Sequence, residues 1–178
     1  MYPGKYAEQN PDRSAFVMAA TGERVSYQEF EARSNRVAHY LADKGLGFQD
    51  HYSIFMENNN RYLESCAAGE RSGLYFTCIN SFLTSDELAY IINNSESQIL
   101  ITSMSKLEAA QEALAQCTAI KEVLVVGAGD ADLPEGMSDF ASTLSKYPET
   151  PLERELLGAA MLYSSGTTGR PKGIVRPL

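Results

Sequence analysis

Between Ser26 and Gly45, apolar residues return at helical spacing: Phe30, Val37, Ala38 and Leu41 fall on one face of a 3.6-residue turn. Ser26 followed by Glu29 is a capping box, in which the serine oxygen takes the N3 amide and the glutamate reaches back to the N-cap amide. Gly45 supplies the left-handed residue that ends such a helix, so the pattern predicts a helix over 27–44. Downstream, short apolar runs at 52–56, 74–79, 98–102 and 123–126 read as strands, and amphipathic stretches separate them. Thr84 with Glu87 forms a second capping box, opening a helix through Ile92, and Ser105 with Glu108 a third, opening 106–116. A short helix is expected near 139–146, followed by a 148–151 connector. Within the apolar run that comes next, 159–163 reads as a buried strand. The segment 127–137, GAGDADLPEGM, has the composition of a solvated loop. Strands alternating with helices long enough for right-handed crossovers predict an α/β fold, a mostly parallel sheet with flanking helices.

Composition bounds the function. The 178 residues are 44% hydrophobic and 21% charged, which is globular, and one compact domain is the expectation. A net charge of −8 argues against coating nucleic acid or an anionic membrane. No segment approaches the ~20 apolar residues of a membrane span, and the N-terminus lacks the basic and apolar regions of a secretory signal. Cys66, Cys78 and Cys117 are odd in number and form no CxxC pair, which fits a reducing cytoplasm. From Leu156 onward the charge reverses: Arg170, Lys172 and Arg176 are basic and nothing is acidic, the local balance a polyanionic ligand needs.

That basic end contains the chemistry. In YSSGTTGRPKG, residues 163–173, Gly166, Gly169 and Gly173 can bare backbone N–H groups to phosphate oxygens without a Cβ in the way. Ser164, Ser165, Thr167 and Thr168 add hydroxyls able to donate to phosphate or contact magnesium, and Lys172 adds a full positive charge. Pro171 keeps the turn from continuing as a helix. A Walker A loop would need Ser or Thr after the lysine and Gly173 stands there, while GxGxxG lacks its paired first glycine and its place after the first strand.

These eleven residues resemble the phosphate-binding signature of the acyl-adenylate-forming (AMP-binding) superfamily: acyl-CoA synthetases, luciferases and peptide-synthetase adenylation domains. The upstream segments VSYQEFEARSNRVAHYLADKGL, NNNRYLESCAAGERSGLYFTCINSFLTSDELAYIINNS and ILITS are similar to the family too, so the likeness spans nearly the whole chain. GLYFTCIN and the Arg176-Pro177 pair look most like fatty-acyl-CoA synthetases. The resemblance implies that residues 1–178 are the N-terminal part of the large AMP-binding domain, with the rest of that domain and the C-terminal domain absent. It implies ATP, Mg2+ and coenzyme A as cofactors, and a carboxylic acid, a fatty acid by subfamily, as substrate. Ser164, Ser165, Gly166, Thr167, Thr168 and Gly169 would surround the β and γ phosphates, with Lys172 offsetting their charge. Lys172 and Thr168 would act catalytically on the leaving pyrophosphate, and Ser164 would contact magnesium in an incomplete metal site. The chain as it stands is expected not to turn over.

Two other readings stay open: an adenylation domain that activates an amino or aryl acid for a carrier protein, and a non-catalytic nucleotide-binding or interaction fragment. Oligomeric state is not legible. The chain departs from the family's usual pattern at Met56-Glu57-Asn58-Asn59 and at Cys78, where a proline is common; altered turns are the expectation. His39 and His51 read as solvated or structural, and the three cysteines as small buried hydrophobes. Asn58–Asn60 and Asn80 read as turn and cap residues, Tyr75, Phe76 and Phe82 as core, and Arg176 as a solvated charge.

Overall fold

The computed structural model describes residues 2–164 and 170–178. The chain opens with α1 (Gly4–Gln9) and the antiparallel pair β1 (Ser14–Val17) and β2 (Arg24–Ser26), none of which the sequence pattern had predicted. Helix α2 (Tyr27–Asp43) follows with both bonds of the Ser26/Glu29 capping box made, and Gly45 sits at φ +84°. The chain then alternates strand and helix: β3 (His51–Phe55), α3 (Tyr62–Ser72), β4 (Tyr75–Cys78), α4 (Ser85–Asn94), β5 (Ile99–Ser103), α5 (Leu107–Leu114) and β6 (Glu122–Val126). It ends with β7 (Met137–Asp139), α6 (Phe140–Leu144), β8 (Ala159–Ala160), β9 (Leu162–Ser164) and β10 (Lys172–Ile174). The expected loop over 127–137 is a loop until Met137, where the chain adds β7 to the sheet edge.

Among the described residues one six-stranded sheet has the order β7-β6-β5-β3-β4-β8, and every neighbouring pair in it is parallel. Alternation along each strand divides the core between the sheet's two faces. Tyr52, Ile54, Phe76, Ile99, Ile101 and Leu124 meet α2, α3 and α6 on one face. Phe55, Leu100, Val123 and Val125 meet α4 and α5 on the other. Burial on both faces is why these strands read as continuous apolar runs. No helix among the described residues is long and apolar enough to cross a membrane.

Two expectations are corrected. The Ser105/Glu108 capping box does not form: a 3-10 turn at Met104–Lys106 draws Ser105 into turned backbone, Lys106 takes the N-cap position without a side-chain cap, and the helix is shorter than predicted. An N-cap must sit in extended backbone just outside the helix, and Ser105 does not. The run 159–163 is not one buried strand. Its first two residues pair with Tyr75 and Phe76 as β8, and the chain turns from the sheet after Met161 to begin β9, where Leu162 is exposed.

Candidate functional site

The described residues of the motif lie on two antiparallel strands, β9 and β10. Ser164 ends β9, Lys172 begins β10, and the antiparallel register makes the two direct partners. Cross-strand partners project from one face with Cβ atoms about 4.5–5.5 Å apart, so a hydroxyl and an ammonium are presented together, both exposed. Ser165, Gly166, Thr167, Thr168 and Gly169, named from the sequence as phosphate donors, lie outside the described residues. Gly173 has a reason of its own to lack a side chain: a Cβ there would come within 2.4 Å of Met161 Cε and 3.2 Å of the Tyr163 ring that packs across it.

Helix α4 fixes both arms. Its Tyr90 hydroxyl donates to the Pro171 carbonyl oxygen at 3.0 Å, and the Arg170 guanidinium lies 5.3 Å from the Tyr90 ring centroid. One helical turn on, Asn94 Oδ1 accepts the Tyr163 hydroxyl at 2.8 Å. Residues four apart share a helix face, so a single face holds the strand entering the motif and the strand leaving it. Burial, and to a lesser degree Tyr90, pushes the Tyr163 hydroxyl up to about 12, which keeps it a donor at neutral pH. The helix is begun by the Thr84/Glu87 capping box predicted from the sequence.

Between α4, the carboxyl end of β4 and the β9–β10 pair is a cavity of about 400 Å3 lined by Thr77, Cys78, Asn80, Tyr163, Ser164 and Pro171, with Leu83 and Ile91 as apolar floor. The carboxyl ends of parallel strands are where open α/β sheets take ligands. The buried Thr77 hydroxyl has no hydrogen-bond partner among the described residues. Past the carboxyl end of β3, whose following helix packs on one face of the sheet while that of β5 packs on the other, Glu57 Oε2 accepts hydrogen bonds from Ser103 and Ser105, each at 2.5 Å. Burial raises the Glu57 carboxyl, but these hydroxyls outweigh it and hold the group below its ordinary value. Glu57 and Ser103 carried no sequence signal as a pair, because 46 residues separate them.

The remaining candidates sort by contact. His39 bonds the Thr150 carbonyl at 2.9 Å and His51 stacks on Tyr75, both structural. Asn59 Oδ1 accepts the Arg61 amide and Asn80 Oδ1 the Phe82 amide, the turn roles expected. Tyr75 and Phe76 are buried, but Phe82 is 89% exposed, with Lys106 Nζ 5.4 Å from its ring centroid, so it is not core. The reading of the cysteines as small buried hydrophobes gives way at Cys78, which is exposed with its sulfur 3.6 Å from that of Cys66; Cys66 and Cys117 are partly buried and pack against the core. A second cavity, of about 270 Å3, is lined by Arg33, Arg36, Arg61 and Glu64; Glu64 is paired to Arg33 and Arg61, and Arg36 to Glu149. Among the described residues no group of three or more His, Cys, Asp or Glu side chains gathers as metal ligands.

The family model described as AMP-binding enzyme matches residues 5–177. Among curated proteins, the 3-oxocholest-4-en-26-oate--CoA ligase of Rhodococcus rhodochrous is 31% identical over 169 residues, covering 93% of this chain and 30% of the relative. Acyl-CoA synthetase 7 of Caenorhabditis elegans is 27% identical over 172 residues, covering 96% of this chain and 32% of the relative. An anthranilate CoA ligase solved in complex with anthranoyl-AMP superposes with a TM-score of 0.83 at 21% identity, over 97% of this chain and 34% of its own. A putative long-chain-fatty-acid CoA ligase from Rhodopseudomonas palustris does so with a TM-score of 0.81 at 22% identity, over 97% of this chain and 42% of its own. The chain spans about a third of the length of the curated relatives it matches.

Proposed function

The chain belongs to the AMP-binding enzyme family, and we propose that it is the N-terminal part of the nucleotide-binding domain of an ATP-dependent acyl-CoA synthetase acting on a fatty acid in a reducing cytoplasm. In the reaction, a carboxylate oxygen attacks the α-phosphorus of ATP and pyrophosphate leaves, giving acyl-AMP. The thiol of coenzyme A then attacks the acyl carbonyl and AMP leaves. The observation that carries this reading is the pairing of Ser164 with Lys172 across the two strands that bracket the glycine-rich motif. A hydroxyl and a cation fixed on one face suit the β and γ phosphates, with residues 164–169 as donors and Lys172 and Thr168 stabilising the charge that grows on departing pyrophosphate. Magnesium, when bound, neutralises part of that charge. The Ser164 hydroxyl is the described residue of the motif that fits it, a single hard oxygen for an ion that keeps most of its waters. No turnover is proposed for residues 1–178 alone.

The test is carboxylate-dependent exchange of pyrophosphate into ATP, measured in a protein of its relatives' length that carries this sequence, with Lys172→Ala and Thr168→Ala beside the parent. Each substitution is expected to lower the exchange rate about 10²–10³-fold, the loss typical of one preorganised donor. Exchange that survives both at parental rate would remove the loop from the mechanism. Comparing a fatty acid with an aryl acid in the same assay tests the substrate class.

A further inference from the structure

Cys66 lies in the second turn of α3, and Cys78 closes β4, the strand that α3 leads into. Their sulfurs are 3.6 Å apart, and the Tyr62 hydroxyl bonds Cys78 from one turn earlier on the same helix. Both cysteines sit in regular elements anchored in the core, so the approach is set by the packing of α3 on the sheet. The two thiols are not equivalent. Cys78 is exposed and lines the cavity beside Tyr163 and Ser164, where a small solute reaches it; Cys66 is partly covered. Contact with the Cys66 thiol, and after it with the Tyr62 hydroxyl, holds the Cys78 thiol below its ordinary value although neighbouring groups partly desolvate it, while Cys66 itself is pushed up. Cys117 serves as an internal reference: its thiol is engaged with the Ala113 carbonyl at 3.3 Å and burial raises it.

We propose that Cys66 and Cys78 are a hydroperoxide-reactive dithiol, in which Cys78 is the attacking sulfur and Cys66 resolves it to an intramolecular disulfide. The Cys78 thiolate attacks one peroxide oxygen and the O–O bond breaks, giving Cys78 sulfenic acid and releasing hydroxide, or alkoxide from an organic hydroperoxide. The Cys66 sulfur then displaces hydroxide from the Cys78 sulfur, and its proton completes a water. Two electrons pass from the pair of sulfurs to the peroxide. The disulfide requires the sulfurs to close from 3.6 Å to a bonded length of about 2.05 Å. This inference does not depend on the acyl-CoA synthetase reading.

The 178-residue chain, treated with equimolar hydrogen peroxide and then alkylated, is expected to fall from three reactive thiols to one, Cys117. Trypsin then yields peptide 62–71 joined to peptide 72–106, a link that dithiothreitol reverses. Before oxidation at pH 7, Cys78 is expected to alkylate about tenfold faster than Cys117. In Cys66→Ser, Cys78 sulfenic acid persists and is trapped by dimedone, and in Cys78→Ser the remaining Cys66 does not react. The proposal is overturned if both cysteines stay fully alkylatable after peroxide, or if the link runs to Cys117 or to a second chain. It is overturned equally if Cys78 proceeds to sulfinic acid while Cys66 stays free. The peptide map of the unsubstituted chain decides the question even if a variant does not fold.

Discussion

The Tyr90 hydroxyl donates to the Pro171 carbonyl oxygen at 3.0 Å, so a helix packed on the sheet holds the strand that presents Lys172. The two strands that flank the glycine-rich motif are therefore held by a structured element, although among the described residues they pair with each other and not with the six-stranded sheet.

Tyr90→Phe keeps the ring beneath Arg170 and removes only this bond, a loss of about 0.5–1.5 kcal/mol. Amide exchange within 162–174 is expected to quicken about two- to tenfold, with β3 and β5 unchanged. Mass-resolved hydrogen exchange reads the difference. Equal acceleration across the sheet would mean that the bond supports the whole fold and not the β9–β10 pair.

Arg71 is wholly buried between Glu31, with which it makes a short ion pair, and Glu155, whose carboxylate stands 3.6 Å away and accepts from Tyr2. Glu31→Ala leaves a buried guanidinium without its close carboxylate, with Glu155 at 3.6 Å and the Tyr2 ring 4.7 Å away, and is expected to cost about 3–5 kcal/mol. Glu155→Ala costs less, because Arg71 keeps its close partner. Urea midpoints of the two variants give the order, and the reverse order would contradict the assignment.

A Cβ at Gly158 would come within 2.1 Å of the Gly69 carbonyl oxygen and 2.4 Å of the Leu74 carbonyl oxygen. These are backbone atoms of α3 and of the residue before β4 and cannot swing aside, so Gly158→Ala is expected to cost at least about 1–3 kcal/mol and to pry β8 from β4. Chemical denaturation measures the cost. Loss of amide protection at Ala159 and Met161, which donate to Leu74 and Phe76, locates it.

The Glu29 carboxyl is held below its ordinary value of 4.5, chiefly by the Ser26 amide, then by the Ser26 hydroxyl and Arg33. A depressed folded value means stability that is present above the unfolded value and lost as pH falls through the folded one. Ser26→Ala is expected to cost about 1 kcal/mol at pH 7 and to shrink the acid loss of stability below pH 4.5. Urea unfolding at stepped pH tests both. An unchanged acid slope would place that pH dependence elsewhere.

Local pattern made much of the fold legible. The Ser26/Glu29 and Thr84/Glu87 boxes are four-residue devices whose bonds close within one helical turn, and both form as read. Runs such as ILITS announce strands because both of their faces are buried. The same local logic failed at Ser105, where a 3-10 turn and the distant Glu57 carboxylate claim a residue that had the spacing of a cap. It missed α1, β1 and β2, which are too short to show a period.

By itself, then, the sequence determined the capped helices, the parallel α/β character and the family to which the glycine-rich motif points, because each is written in residues near one another along the chain. Tertiary structure decided the strand order, the break of the last apolar run into β8 and β9, the register that sets Ser164 against Lys172, and the meeting of Cys66 with Cys78. Those relationships depend on which surfaces pack together once the chain has closed over many residues, and hydrophobic periodicity records only which face of an element is buried, not its neighbour.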